Sequence, residues 1–360
     1  MVCHLADRLL KSTQKAMRCL ICYSYRRREA APNFGPVGLH GVDACLSRRI
    51  FRGDRYPYRS PRLNISMKII DCFPYFNESE LLELRIKMYY NYVDRFIITD
   101  GDHTYSGIPK PFTCRRTLQQ LGIPLDKIEV VEVAMPSYEQ EPDNWIRERM
   151  QRNVAAKFFE DDAVHIVADC DELVDPRHLH FYAQSAVEQP DKLIRINMYH
   201  LNCRANLVLC DPDGSLQIWQ HPYVATKKHI ERYTLSDLRE DFAMKKYESD
   251  FTHIFLKDQN SKLVPTGWHF SWMGNKERIK FKMATFAHAH DGKNDIFSTA
   301  VADIPSLEMQ EFLDQYQPGV GSTDPYGRPE NILQSFPTEL LPELIFQLPR
   351  VKNFLFQEKN

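Results

Sequence analysis

From Met67 onward the chain alternates short apolar runs with segments of helical spacing, and that rhythm restricts its fold more than any other feature. Lys68-Ile69-Ile70-Asp71-Cys72-Phe73, Arg95-Phe96-Ile97-Ile98-Thr99, residues 127–133 and residues 163–168 read as strands. The last of these is apolar apart from His165. Between them, Asn77 predicts the cap of a helix through Tyr90, with Leu81, Leu82, Leu84, Ile86 and Met88 at its apolar positions. Residues 113–121 predict a second helix and residues 144–159 a third, in which Trp145, Ile146, Met150, Val154 and Phe158 recur near the helical period. Strands alternating with helices imply βαβ units and a mostly parallel sheet covered on both faces. After about residue 190 the rhythm changes. Residues 193–199, 207–210, 216–219, 253–256 and 268–272 read as strands, with a hairpin turn at Asp211-Pro212-Asp213-Gly214. Residues 276–286 and 307–316 read as helices, and residues 318–329 as a loop. The expected fold is therefore α/β, a Rossmann-like, mostly parallel sheet with helices on both faces and a mixed C-terminal half.

The sharpest chemical signal is Val164-His165-Ile166-Val167-Ala168-Asp169-Cys170-Asp171-Glu172, an apolar strand running straight into three carboxylates. Open α/β sheets bind ligands at the carboxyl ends of their strands. Clustered acids repel one another, and a bound cation is one compensation. Mg²⁺ and Mn²⁺ prefer carboxylate oxygens and are commonly shared with substrate phosphates. A strand-end DxD is thus a recipe for holding a metal–diphosphate. The alternative is that the acids cap the next helix and sit in water. An aspartyl-nucleophile phosphatase is disfavoured by Leu173, where such enzymes want Thr or Val, and by the ordered strands that precede the motif.

Three further stretches carry candidate chemistry. In Gly267-Trp268-His269-Phe270-Ser271-Trp272, His269 is either a packed core imidazole or a metal ligand or base beside an aromatic sugar-stacking wall. The preceding Gly267 permits close backbone approach. The helix Trp145-Ile146-Arg147-Glu148-Arg149-Met150-Gln151-Arg152-Asn153 either presents a solvated, salt-bridged face or uses Arg152 to position a nucleotide or order the acidic loop. Asp100-Gly101-Asp102-His103-Thr104-Tyr105-Ser106-Gly107 follows a strand end, and it either holds ribose or base or is a polar connection.

Residues 1–66 differ from the rest. They hold 13 Lys and Arg against 4 Asp and Glu, a net charge of +9, which leaves −11 on the remainder. They are expected to be a disordered or mispredicted basic extension, with an organelle-targeting or anionic-surface-binding tail as the alternative. Residues 67–345 are expected to form one domain, split into halves at 190 and 191, followed by a tail at 346–360. The whole chain carries a net charge of only −2, which points to no polyanionic partner and no nucleic acid. Nine cysteines without a paired framework fit a reducing compartment. No apolar run is long enough to span a membrane, so a soluble, cytoplasmic protein is expected.

Taken in order, six stretches resemble glycosyltransferase family 17, the family of the β-1,4-mannosyl-glycoprotein 4-β-N-acetylglucosaminyltransferases. They are Asp71-Cys72-Phe73-Pro74-Tyr75-Phe76-Asn77-Glu78 with Leu81-Leu82-Glu83-Leu84-Arg85; Val93-Asp94-Arg95-Phe96-Ile97-Ile98; Thr104-Tyr105-Ser106-Gly107-Ile108-Pro109-Lys110-Pro111; Arg147-Glu148 with Gln151-Arg152-Asn153; Asp169 to Glu172; and Gly267 to Trp272. Met273-Gly274 and the segment from Phe286 to Asp291 depart from the family pattern. The resemblance implies an inverting, GT-A-type enzyme that moves a sugar, N-acetylglucosamine first among candidates, from a UDP-sugar to a glycan or glycoconjugate hydroxyl. It implies Mn²⁺ or Mg²⁺ held by Asp169, Asp171 and His269. Phe73, Asn77, Asp100, Arg152, Asp169 and Trp268 would contact the donor, and Glu172, His269 and Asp291 are the candidates for the base. Animal members are anchored in the Golgi, a location not expected here without an anchor. The competing expectation is a non-catalytic nucleotide-sugar- or carbohydrate-binding protein with a degenerate transferase fold, against which the intact Asp169 and Asp171 speak.

Overall fold

The computed structural model describes residues 67–244, 252–290 and 315–356. The basic stretch 1–66, the candidate base Asp291 and most of the expected helix at 307–316 lie outside the described residues. Within the rest the chain runs β1 (Lys68–Tyr75), α1 (Ser79–Tyr89), β2 (Arg95–Gly101), α2 (Cys114–Gln120), β3 (Ile128–Val133), α3 (Asn144–Asn153), β4 (Ala163–Val167), β5 (Glu172–Val174) and α4 (Pro176–Glu188). It continues through β6 (Lys192–Arg195), β7 (Met198–Asn202), β8 (Arg204–Cys210), β9 (Ile218–Trp219), β10 (Tyr223–Ala225), α5 (Leu235–Met244), β11 (Thr252–Phe255), β12 (Gly267–Ser271), α6 (Lys276–Thr285), β13 (Ile332–Ser335), α7 (Leu344–Gln347) and α8 (Pro349–Phe356).

The strands form two sheets. The first has the order β11-β6-β10-β4-β1-β2-β3, and only β10 runs against its neighbours. This is the mostly parallel sheet expected from the strand–helix alternation. The second has the order β13-β8-β7-β12-β5, with β9 added on β7. The expected strand at 193–199 is in fact two strands, one in each sheet. The chain crosses between sheets at Ile196 and Asn197, whose backbone groups pair with Pro222 and Thr266 respectively. An apolar run shows burial but not hydrogen-bond partner, so both halves look alike in sequence.

Local chemistry explains the helix boundaries. Asp143 caps α3 by accepting from the Trp145 amide at 2.9 Å, and Asn275 caps α6 by accepting from the Arg278 amide at 3.0 Å. The expected Asn77 cap is replaced by a left-handed turn: Asn77 has φ of 58° and α1 begins two residues later. Asn tolerates this region better than most residues. The third expected helix stops being α-helical at Asn153 and continues as a 3-10 turn, Val154–Phe158. The expected tail is partly ordered. Residues 349–356 form α8, with Val351 and Leu355 fully buried.

The chain passes from the first sheet to the second through the acidic turn after β4, because β5 pairs antiparallel with β12. Their approach is tight at Gly267, where a Cβ would lie 2.4 Å from the Leu173 carbonyl oxygen and 3.0 Å from the Val174 Cα. The glycine serves strand packing. Gly267→Ala is expected to lower stability by about 1–3 kcal/mol through forced separation of β12 from β5; a urea unfolding curve with an unchanged midpoint would contradict this.

Candidate functional site

The first sheet defines where a ligand can sit. From β1 the chain proceeds outward through β2 and β3, then returns to pair β4 on the other edge of β1. The strand order reverses there, and the crevice beyond the carboxyl ends of β1 and β4 is the expected binding place in such sheets. Residues Phe76 to Glu78 leave β1 on one side of it, and Asp169 to Asp171 leave β4 on the other.

Arg85 of α1 fixes the two sides together. It has no exposed surface, and its guanidinium makes two 2.7 Å bonds to the Asp71 carboxylate on β1. Its Nη1 donates to the carbonyls of Asp169 at 2.8 Å and Glu172 at 2.7 Å. The planar fork suits such a bidentate contact. The same guanidinium lies 4.4 Å from the Phe73 ring centroid.

The side chains of the turn divide into three roles. Glu172 is fully buried and saturated with donors: the Asp169 amide at 2.6 Å, the Trp219 indole at 2.6 Å and two nitrogens of Arg239 at 2.6 and 3.0 Å. Asp169 receives Arg152 on Oδ1 at 2.5 Å and Arg239 on Oδ2 at 2.7 Å, yet its side chain keeps 31% exposure. Burial works to raise its pKa, but the two arginines overcome this and hold the carboxyl well below its usual range. Asp171 is buried, and its Oδ2 accepts from Lys282 of α6 at 3.0 Å. The repulsion among these acids is therefore met by Arg152, Arg239 and Lys282, where the sequence argument called on a bound cation.

Helix α3 supplies much of this order from one turn. Gln151 donates to the Tyr75 and Thr99 carbonyls at the ends of β1 and β2, Arg152 holds Asp169, and Asn153 accepts from the Ser236 amide of α5. Arg149 and Glu240 pair bidentately at 3.0 and 3.1 Å, which keeps Arg239 on the same helix facing the turn. The helix thus carries both a half-exposed salt bridge, Arg149–Glu240, and an arginine, Arg152, bonded to the acidic turn.

His269 follows from register. On β12 it lies opposite Glu172 of β5 and beside His200 of β7. Its ring stacks on His200 at 4.9 Å and on Trp219 at 4.2 Å. Burial pushes its pKa down to about 3, so the imidazole is neutral at pH 7. Its Nε2 is 3.7 Å from Asp171 Oδ1, and its buried Nδ1 has no hydrogen-bond partner.

The described residues contain no group of three His, Cys, Asp or Glu side chains arranged to hold a metal ion. The donors that do fit Mn²⁺ or Mg²⁺ are fewer. Asp171 Oδ1 and the neutral His269 Nε2 face each other at 3.7 Å, while both oxygens of Asp169 are held by arginines. Such ions need only one or two protein ligands when substrate phosphates supply the rest.

Other expected donor contacts are placed differently. Phe73 is buried beneath Arg85, in the core rather than the crevice. Asp100 is fully buried and accepts from the Thr113 and Cys114 amides and from Lys110, so it starts α2 instead of facing a ribose. Trp268 is buried and donates to the Leu340 carbonyl at 3.0 Å. Asn77 does line the crevice, in a small pocket shared with Phe76, Glu78, Asp171, Phe281 and Lys282. Sequence reasoning missed Arg239, Trp219 and Lys282, whose helix and strand positions reveal nothing of their partners. Arg85 left one trace, a lone cation between Leu84 and Ile86 on a helix otherwise buried on that side. All five described cysteines are free and buried, and no described helix is long and apolar enough to cross a membrane.

Residues 58–202 match the model of glycosyltransferase family 17. Among solved structures, the chain is 18% identical to S. aureus TarS 1-349 with a TM-score of 0.26, over 39% of this chain and 38% of that one. It is 11% identical to mannosyltransferase PcManGT from Pyrobaculum calidifontis in complex with GDP-Man and Mn²⁺, with a TM-score of 0.30 over 46% of each chain. It is 10% identical to 4-diphosphocytidyl-2C-methyl-D-erythritol synthase, with a TM-score of 0.30 over 55% of this chain and 93% of that one. The chain thus spans less than half of the first two. No curated protein sequence matches it.

Removing one partner of the buried Arg85–Asp71 pair leaves an uncompensated charge. Arg85→Met is expected to cost about 3–5 kcal/mol; a denaturation midpoint like that of the wild type would show that the pair does not hold the turn.

Proposed function

We propose that this chain is an inverting glycosyltransferase that moves a sugar from a nucleotide donor, UDP-N-acetylglucosamine first among candidates, to the hydroxyl of a glycan or glycoconjugate. The family match over residues 58–202 supports glycosyl transfer. The observation that carries the reading is the acidic turn: Asp169, held by Arg152 and Arg239, and Asp171, with Lys282 at 3.0 Å, stand at the strand-order reversal. Anionic ligands suit such a place, because fixed cations in a water-poor crevice offset phosphate charge strongly.

In this reading the nucleoside diphosphate lies across the carboxyl ends of β1 and β4. Asp171 and His269, with Asp169 beside them, would hold Mn²⁺ or Mg²⁺, which supplies charge neutralisation for the leaving diphosphate. Lys282 adds a positive charge on the same side. Arg152 and Arg239 keep Asp169 ionised and oriented, so no reorganisation is needed when the donor arrives. Glu172 braces the turn; its oxygens are filled by four donors, which suits positioning rather than proton transfer. The neutral His269 is a ligand by its chemistry rather than a base, since burial holds its pKa near 3. We place the catalytic domain at residues 67–356, since the helix at 349–356, expected as a tail, packs into it and its Phe354 lines the pocket. Its two halves share the site, because Arg239, His269 and Lys282 of the second half meet Asp169 and Asp171 of the first.

The test is nucleotide release from a panel of UDP- and GDP-sugars, with Mn²⁺ and with EDTA. One donor is expected to turn over in Mn²⁺, and Asp171→Asn to slow it by about 10²–10³-fold. No turnover together with no nucleotide binding by calorimetry would contradict the assignment.

A further inference from the structure

Glycosyl transfer with inversion needs a group that takes the proton of the attacking hydroxyl, and one carboxylate of the crevice has an oxygen claimed neither by a cation nor by the proposed metal. Glu172 is saturated by its donors, Asp169 holds two arginines, and Asp171 holds Lys282 on Oδ2 while its Oδ1 faces His269, 3.7 Å away, where the proposed metal would sit. Glu78 differs from all three. It leaves β1 immediately after the left-handed Asn77 and lines the pocket together with Asp171, Phe281 and Lys282. Its Oε2 accepts from the Phe76 amide at 3.0 Å, while its Oε1 accepts no hydrogen bond among the described residues. Opposite it stand Lys282 and Arg278 on α6 and Asp171 on the turn after β4. Phe76 and Phe281 stack nearly parallel, 5.8 Å apart, and form an apolar wall of the same pocket. Phe281 is 46% exposed, which leaves the wall open to an incoming sugar.

Resting on the glycosyl-transfer reading, we propose that Glu78 is the general base and that its pocket receives the acceptor hydroxyl. The acceptor oxygen bonds to the anomeric carbon as its proton passes to Glu78 Oε1. The bond from that carbon to the diphosphate breaks, and its electron pair leaves on the diphosphate oxygen. Side chains that do this work are tuned toward the operating pH. Partial burial, opposed by Lys282 and Arg278, raises the Glu78 pKa above the usual carboxylate range. Strained backbone such as that at Asn77 is found where a side chain must be aimed.

Glu78→Gln is the direct test, because the amide oxygen still accepts from the Phe76 amide but takes no proton. Water serves as the acceptor probe, read as nucleotide release from the panel donor that the wild type turns over. We expect kcat to fall by about 10²–10⁴-fold, with donor KM and nucleotide affinity by calorimetry unchanged. The wild-type rate is expected to decline at low pH as Glu78 takes up a proton, and the Gln variant to lose that limb. Glu78→Asp, which keeps the carboxylate but retracts it, is expected to fall between the two. A Gln variant with wild-type kcat, or one altered only in KM, overturns the base assignment and leaves the transferase reading standing. A wild type that releases nucleotide from no donor and binds no nucleotide by calorimetry overturns the transferase reading and the base with it.

Discussion

The buried contact between Arg85 and Asp71 is the constraint on which the rest of the molecule depends. Asp71 lies on β1, at the middle of the parallel sheet, and Arg85 lies on the helix that crosses over it. A carboxylate at that position has no access to water and needs a cation with matching geometry. Once the guanidinium is in place its remaining hydrogens face the turn after β4, and the Asp169 and Glu172 carbonyls accept them. One ion pair thus ties the strand, the helix and the acidic turn into a single unit. The turn is also where the chain leaves the first sheet for the second, so the same contact sets how β5 starts and where β12 pairs with it.

The acidic turn concentrates charge that burial alone would make costly. The molecule answers with side chains from four places: Arg85 from α1, Arg152 from α3, Arg239 from α5 and Lys282 from α6. They do not act alike. Arg85 binds backbone and shapes the turn, Arg152 and Arg239 fix Asp169 and Glu172, and Lys282 alone approaches Asp171 from the pocket. The outcome is a site in which Glu172 is closed, Asp169 is held but partly open, and Asp171 faces a cleft. In the proposed donor site, an anionic ligand would meet groups already in position, at little reorganisation cost.

How much of this was legible in the sequence follows from what each signal encodes. The parallel sheet was readable because β1, β2, β3 and β4 are apolar runs separated by helices, and that pattern has few solutions. The acidic turn was readable because Asp169, Asp171 and Glu172 follow a strand with no spacer. The second sheet was not, because residues 193–199 hide a crossing between sheets, and β5, β9 and β10 are two or three residues long. The partners of the acids were not, because Arg239 and Lys282 sit on ordinary amphipathic helices and become neighbours of the turn only in three dimensions. Phe73 and Trp268 show the reverse error: motif aromatics that read as ligand contacts are buried packing. Glu78 stood in a quoted motif without a role, since nothing in one dimension distinguishes a pocket carboxylate from a helix cap.

The most direct test of the central claim, that the β1–β4 reversal with its acidic turn is the donor site, is a crystal structure with UDP and Mn²⁺. The account predicts diphosphate density over the carboxyl ends of β1 and β4, with the metal against Asp171. Nucleotide density anywhere else on the molecule, with the acidic turn still held only by its arginines and Lys282, would contradict it.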